Sequence, residues 1–207
     1  MSYHITILHS ANASFRMTHS RRNLQDINFK EFCMTLAELA DSLPDYAKDL
    51  RVNLQNVLNQ AELSPQQTWS VAVSCALACR NIKLTQSVLQ EAGARLLSPE
   101  AMIAAKAASA IMGMNNIFYR FRHIIGREEY SDIPARLRMQ AIRSHGGDPL
   151  DFELCCLAVS SINGCEACVK SHEAVLREKG LKEETILASI RVAATLHAIA
   201  GILDAEV

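Results

Sequence analysis

The residues best suited to chemistry lie in one short stretch, Asn163-Gly164-Cys165-Glu166-Ala167-Cys168-Val169-Lys170-Ser171-His172. Asn163 and Gly164 favour a turn, so we expect a helix to begin at Cys165. Unpaired backbone N–H groups in a first helical turn stabilise a thiolate. Cys168 follows three residues later on the same helical face, so the two sulfurs can close a disulfide. The spacing indicates a redox-active dithiol.

Two polar side chains are candidates to move a proton to or from this dithiol. His172 follows Cys168 by four residues and shares its helical face, so its imidazole can accept the thiol proton. Glu153 lies near the start of the preceding predicted helix, and its carboxylate reaches the same place if the two helices pack antiparallel. The predicted catalytic residues are therefore Cys168, Cys165, His172 and Glu153, with no bound cofactor and no metal.

Other interpretations of the cysteine pair remain open. A Cys-x-x-Cys pair with a nearby His is also half of a zinc site, although the sequence has no second pair at zinc-finger spacing. Two buried, inert cysteines are the plainest alternative. Covalent haem attachment requires His directly after the second cysteine, and Val169 occupies that position.

The remaining cysteines and histidines point less clearly to chemistry. We expect His123 and His145 at the surface, and His197 as a hydrogen-bonded histidine of the core. The other cysteines stand among apolar neighbours and are predicted to be small core residues: Cys33, Cys75, Cys79, Cys155 and Cys156.

Composition excludes several classes of protein. The 207 residues are 49% hydrophobic and 21% charged, which suffices for a packed core. A net charge of −1 argues against a nucleic-acid-binding protein. Charged residues interrupt every long apolar stretch, which argues against a membrane span. Seven cysteines, an odd number, with no secretory h-region favour a reducing compartment, so we expect a cytoplasmic location.

Apolar periodicity and capping signals predict an all-α fold. Ser64, followed by Pro65 and then Gln67, has the pattern of a capping box, and Ser98-Pro99-Glu100 repeats the start signal. We expect a loop over 126–133 and helices over 45–60, 66–79, 83–91, 98 to 114 or 121, 134–143, 151–161, 165–179 and 183–203.

An internal repeat is suggested by matches at a spacing of 86 residues. The matching segments are 72–74 with 158–160, Cys79 with Cys165, and 107–109 with 193–195. They predict two copies of a multi-helix unit that share one core about a pseudo-twofold axis. At this spacing the first copy has Ile82 in place of Cys168 and Gln86 in place of His172, so it lacks the reactive pair.

Residues 1–33 differ from the rest. Residues 1–25 contain no Asp or Glu, but they include Arg16, Arg21 and Arg22. A terminal tail, an extension upstream of a usual start at Met34, and an organelle transit peptide all fit, and the weak apolar organisation favours the first two. We therefore expect an N-terminal extension, 1–33, and a single helical domain, 34–207, with repeat copies at about 64–121 and 150–207.

Three segments are similar to the alkylhydroperoxidase D (AhpD) family: Phe152 to Arg177, Ile111 to Arg120 and Leu43 to Leu50. The likeness covers about residues 34–203, and its motifs occur ungapped and in order. The family is all-helical, belongs to the carboxymuconolactone decarboxylase-like superfamily and usually forms trimers. The resemblance therefore implies an AhpD-like multi-helix bundle that assembles as a homotrimer.

The resemblance also implies an activity. Family members are thiol peroxidases and adaptors that carry electrons from a lipoyl-bearing dehydrogenase subunit to a peroxiredoxin. Carried over, Cys168 would attack an organic hydroperoxide, Cys165 would resolve the product, and Glu153 and His172 would form a proton relay, with dihydrolipoamide as electron donor. One enzyme of the family has a second His just before the latter Cys, where this chain has Ala167. A relay that used that His would be shortened.

Three other functions compete with this expectation. The first is a protein disulfide reductase or adaptor without significant peroxidase activity of its own. The second is a lactone decarboxylase of the same superfamily, a chemistry that does not need the pair Cys165 and Cys168. The third is a helical module that is not an enzyme.

Overall fold

The computed structural model describes residues 34–95 and 97–206, and over these ranges the chain forms helices and no strand. The predicted all-α class is confirmed. The helices are α1 (Leu36–Asp41), α2 (Lys48–Leu58), α3 (Pro65–Cys79), α4 (Ile82–Ala94), α5 (Pro99–Ile125), α6 (Glu128–Asp132), α7 (Ala141–Ser144), α8 (Pro149–Ile162), α9 (Glu166–Glu178) and α10 (Glu183–Ala205), and a 3-10 turn, Asp45–Ala47, precedes α2. The predicted extension, 1–33, lies outside the described residues.

Side-chain caps and prolines fix where the longer helices begin. Ser64 Oγ accepts a hydrogen bond from the Gln67 N–H at 3.2 Å, and Gln67 Oε1 accepts one from the Ser64 N–H at 3.0 Å, which completes the predicted capping box of α3. Ser98 caps α5 and Asp148 caps α8, each directly before a proline.

The segment between α5 and α8 differs from the prediction. The predicted loop 126–133 contains the short helix α6, and the predicted helix 134–143 is wrong, because only α7 forms there. Arg136 has a left-handed backbone with φ of 51°, which an α-helix cannot include. The guanidinium of Arg122 donates to the carbonyl of Ile133 and ties the start of this irregular segment to α5.

The order of helices repeats along the chain. Helices α3, α4 and α5 begin at residues 65, 82 and 99, and α8, α9 and α10 begin at 149, 166 and 183, which is 84 residues later in each case. The left-handed residues Arg80 (φ 63°) and Gly164 (φ 64°) have the same spacing. The packing also corresponds, since α3 contacts α10 as α8 contacts α5. The twofold axis between the copies stays a prediction.

The helix starts therefore correspond at a spacing of 84 residues, whereas the sequence matches have a spacing of 86. Cys79 ends α3, whereas Cys165 is the N-cap of α9, so these two residues are not equivalent. The counterpart of Cys165 is Asn81, whose side chain caps α4 by accepting from the Leu84 N–H at 2.9 Å. Leu84 in turn is the counterpart of Cys168, and it is fully buried.

Helices α3 and α8 pack against each other at the centre, and α5 and α10 flank them. The largest fully buried side chains include Val71 and Val73 of α3 and Leu154 and Leu157 of α8. Among the described helices, α10 alone is long and apolar enough to cross a membrane, and more than half of its most apolar stretch is buried in this core. Burial of that kind is typical of a core helix.

Candidate active site

The candidate site begins at the tight turn that joins α8 to α9. Gly164 has a left-handed backbone, and the Cys165 N–H donates to the Ser160 carbonyl at 3.1 Å. Helix α9 begins at Glu166, one residue later than predicted, so Cys165 is its N-cap and Cys168 lies in its first turn. The unpaired N–H groups and the positive end of α9 therefore act on Cys168.

The two cysteines are joined as a disulfide, with their Cα atoms 5.3 Å apart. Cys165 is fully buried, whereas Cys168 is 7% exposed and lines a cavity. Position along the helix alone would favour Cys165 as the more exposed thiol, because it lies nearer the helix start, but the packing around the turn buries it. Cys168 is the one of the pair that a small molecule in the cavity can reach.

A cavity of about 260 Å³ opens beside Cys168, and most of its lining is apolar. Helix α9 contributes one wall, α5 a second, and the irregular segment before α8 a third. Ala167, the residue directly before Cys168, lies in the α9 wall. The lining residues are Met112, Asn115, Tyr119, Met139, Ile142, Ala167, Cys168, Ser171 and His172.

His172 and Glu153 meet at the edge of this cavity. Nδ1 of His172 lies 2.7 Å from Oε2 of Glu153, and the two side chains are 18% and 20% exposed. Helix α9 folds back along α8 and so brings the two residues together, as the sequence predicted. A carboxylate beside Nδ1 favours the tautomer with the proton on Nδ1, which leaves Nε2 free to accept one.

A buried hydrogen-bond network holds the turn in place. Nδ2 of Asn116 donates to Oγ of Ser160 at 2.9 Å, and Nδ2 of Asn163 donates to Oδ1 of Asn116 at 2.9 Å. The Arg120 guanidinium donates to the Asn163 carbonyl. Neither Asn116 nor Arg120 was predicted to have a role, although both lie in a segment that resembles the AhpD family. The available signal was the presence of polar residues within the largely apolar sequence of α5.

Four cysteines outside the pair lie in the described residues and are free thiols, whereas Cys33, which was predicted to be a small core residue, lies outside them. Burial raises the pKa of the Cys155 thiol to about 12 and that of Cys79 to about 11, and it raises the pKa values of Cys75 and Cys156 well above their ordinary range. These thiols are therefore protonated at neutral pH. Cys75, Cys155 and Cys156 are buried in the core as predicted, whereas Cys79 is half-buried.

Besides His172, the described residues include three histidines, and none of the three lines the cavity. The prediction that His197 belongs to the core is wrong, because its side chain is exposed on α10 beside Cys79. His145 is half-buried and stacks on Phe152 with ring centroids 4.0 Å apart. Nε2 of His123 lies 3.2 Å from the carboxylate of Glu166. Across 34–95 and 97–206, no cluster of three or more His, Cys, Asp or Glu residues could hold a metal ion.

Comparison with known proteins is consistent with this geometry. Residues 128–206, which include the dithiol, Glu153 and His172, match the carboxymuconolactone decarboxylase family. A protein of Solibacter usitatus named alkyl hydroperoxide reductase AhpD is 59% identical over 173 residues, which is 84% of this chain and 97% of that protein. Proteins of the same name from Acidobacterium capsulatum and Gluconacetobacter diazotrophicus are each 52% identical, over 84% and 83% of this chain and 94% and 93% of their own lengths.

The all-helical fold and the match to the carboxymuconolactone decarboxylase family, over the part of the chain that carries the disulfide and the His–Glu pair, place the protein in the class of carboxymuconolactone decarboxylase-like proteins with a Cys-x-x-Cys pair. Within that class, the similarity over nearly the full length of these relatives shows that the chain belongs to the AhpD family.

Proposed function

We propose that the protein is a thiol-dependent alkyl hydroperoxide reductase. The observation that carries this proposal is the position of Cys168, which lines the cavity in the first turn of α9, is bonded to Cys165 and lies one helical turn from His172. The relatives named alkyl hydroperoxide reductase support the same reaction class. The decarboxylase alternative has no use for the dithiol.

The reaction proceeds in two steps from the reduced protein. The Cys168 thiolate attacks the terminal oxygen of the hydroperoxide, the O–O bond breaks, and the alkoxide leaves as an alcohol after taking a proton through His172 and Glu153. Cys168 is now a sulfenic acid. The Cys165 thiol attacks its sulfur, water leaves, and the disulfide forms. A dithiol reductant returns both cysteines to thiols.

We assign dihydrolipoamide as that reductant, a lipoyl-bearing dehydrogenase subunit as its carrier, a peroxiredoxin as a protein partner, and the cytoplasm as the location. These assignments rest on the family resemblance and on the reducing compartment that the cysteine usage favours. A disulfide beside a small, mainly apolar cavity is accessible to a dithiol on a flexible arm.

We also propose that the protein assembles as a homotrimer through α5. Its C-terminal half carries the apolar residues Ile117, Phe121 and Ile124 on one face, and they are 57%, 47% and 72% exposed. An exposed apolar strip of this kind is typical of a protein interface.

A second candidate function is a disulfide reductase or adaptor with little peroxidase activity of its own, because Ala167 shortens the relay. Both candidate functions are tested by measuring the consumption of cumene hydroperoxide in a stopped-flow instrument. Dihydrolipoamide and a thioredoxin system serve as alternative reductants. The proposal expects turnover with dihydrolipoamide and loss of turnover in Cys168→Ser. Reduction of protein disulfides without consumption of peroxide would support the second candidate instead.

A further inference from the structure

Asn115 is a buried polar residue whose hydrogen bonds the fold leaves incomplete. It lies on α5, is 4% exposed, and lines the same cavity as Cys168. Within the described part of the chain, its buried Oδ1 atom accepts no hydrogen bond. A buried amide oxygen without a partner is destabilising, so such a residue calls for an explanation beyond packing.

The neighbouring residue and the other half of the molecule show that packing does not require this amide. Asn116 is also buried, and both ends of its amide are hydrogen-bonded, to Ser160 and Asn163. At the helix spacing of 84 residues, the counterpart of Asn115 on α10 is Ile199, which is fully buried. An aliphatic side chain thus fills the corresponding position on α10.

The rest of the cavity wall shows the same contrast. The counterparts of Met112 and Tyr119 are Leu196 and Leu203, which are also buried. The α10 face is therefore aliphatic where the α5 face carries an amide and a phenol. Polar side chains therefore occupy the cavity wall near the dithiol, whereas the corresponding core positions of the other half are aliphatic.

We propose that Asn115 binds the hydroperoxide group of the substrate next to the sulfur of Cys168, an inference that rests on the proposed function. The amide offers a donor and an acceptor in either orientation of its terminal torsion. Its oxygen accepts from the O–H of the hydroperoxide, and its N–H donates to the other peroxide oxygen. That second oxygen becomes the alkoxide when the O–O bond breaks, so the donor stabilises the charge that develops there.

Substitution of Asn115 separates this role from a structural one. Asn115→Leu removes the donor and the acceptor and leaves a side chain of similar size, of the aliphatic kind that the corresponding position Ile199 has. Asn53→Leu, on the exposed face of α2, is the matched control for the same chemical change outside the cavity. The reduced proteins are mixed with cumene hydroperoxide in single-turnover experiments, and the loss of free thiol is followed by quenched flow and mass spectrometry.

We expect the second-order rate constant for oxidation of Cys168 to fall about 100-fold in Asn115→Leu, the typical cost of removing one donor to a developing oxyanion. The rate of Cys168 alkylation by iodoacetamide and the rate of disulfide reduction by dihydrolipoamide should remain within about twofold of wild type, because neither reaction uses the peroxide contact. The control should match wild type in all three measurements.

Oxidation of Asn115→Leu within about twofold of the wild-type rate would overturn the inference. An equal fall in alkylation and oxidation would also overturn it, because that result assigns Asn115 to the packing or ionisation of Cys168. A wild-type protein whose thiols do not react with cumene hydroperoxide would instead refute the proposed function.

Discussion

Glu153 Oε2 and His172 Nδ1 lie 2.7 Å apart across two helices that are joined by a turn of three residues, Asn163 to Cys165. The contact exists because α9 folds back along α8, so the same turn that positions Cys165 and Cys168 also sets the distance between acid and imidazole. The dithiol and the His–Glu pair are therefore parts of one rigid helical hairpin.

The first prediction concerns the relay. Glu153→Gln, His172→Gln and the double variant should lose similar peroxidase activity, about 100-fold or more, because residues that act in series are not additive. The iodoacetamide rate as a function of pH should show a raised thiol pKa in each. Near-complete activity in both single variants, with unchanged pH profiles, would assign activation of the thiol to the helix terminus alone.

The second prediction concerns which of the two cysteines reacts with the peroxide. Cys165→Ser should retain a sulfenic acid after exposure to peroxide, because Cys168 faces the cavity and lies in the first turn of α9. Cys168→Ser should trap none. A dimedone adduct measured by mass spectrometry distinguishes the two, and an adduct only in Cys168→Ser would reverse the roles.

The third prediction concerns stability at alkaline pH. Burial raises the pKa of Cys155 from an ordinary 9.0 to about 12. Above pH 9 the unfolded chain loses this proton while the native protein keeps it, so the free energy of unfolding falls as the pH rises towards 12 and is undiminished below pH 9.

Urea unfolding of the oxidised protein between pH 9 and 10.5 checks this. The free energy of unfolding should decline with pH less steeply in Cys155→Ala than in wild type. The difference in slope should reach up to about 1.4 kcal/mol per pH unit, the value for one proton. Parallel declines in the two proteins would show that Cys155 titrates alike in the folded and unfolded states.

The fourth prediction concerns assembly. Phe121→Glu places a charge in the exposed apolar strip of α5 and should convert the proposed trimer to monomers without loss of helical circular dichroism. Val52→Glu, which changes an equally exposed apolar residue on α2, is the matched control and should stay trimeric. Sedimentation velocity gives the masses, and a Phe121→Glu protein that remains trimeric would exclude this face.

The sequence predicted the site best where local periodicity determines geometry. Cys168 and His172 are four residues apart on one helix, so their common face follows from the helical repeat alone. Glu153 also required the hairpin, which the Asn163–Gly164 turn made predictable. Asn115 and Met139 come from other segments, and only tertiary packing brings them to the cavity, so the pattern around the dithiol could not place them there.

The spacing of the internal repeat could not be predicted correctly from the sequence either. Small residues such as Ala and Ser recur on any apolar helix face, so matches at 86 residues arise without structural equivalence. Helix ends are set by caps and by left-handed residues such as Arg80 and Gly164. The spacing between these corresponding positions is 84 residues. The irregular segment before α8 was mispredicted because the left-handed backbone of Arg136 has no signal in the sequence.

The 84-residue correspondence also gives the protein a built-in template for redesign. Asn81, Leu84 and Val88 of the first half occupy the positions of Cys165, Cys168 and His172, on a helix that begins in the same way. A dithiol grafted there would lie at a helix terminus of the same kind, but the α10 positions that correspond to Met112, Asn115 and Tyr119 of the cavity are aliphatic: Leu196, Ile199 and Leu203. Such a chain would measure, within one molecule, how much reactivity comes from the helix and how much from the cavity.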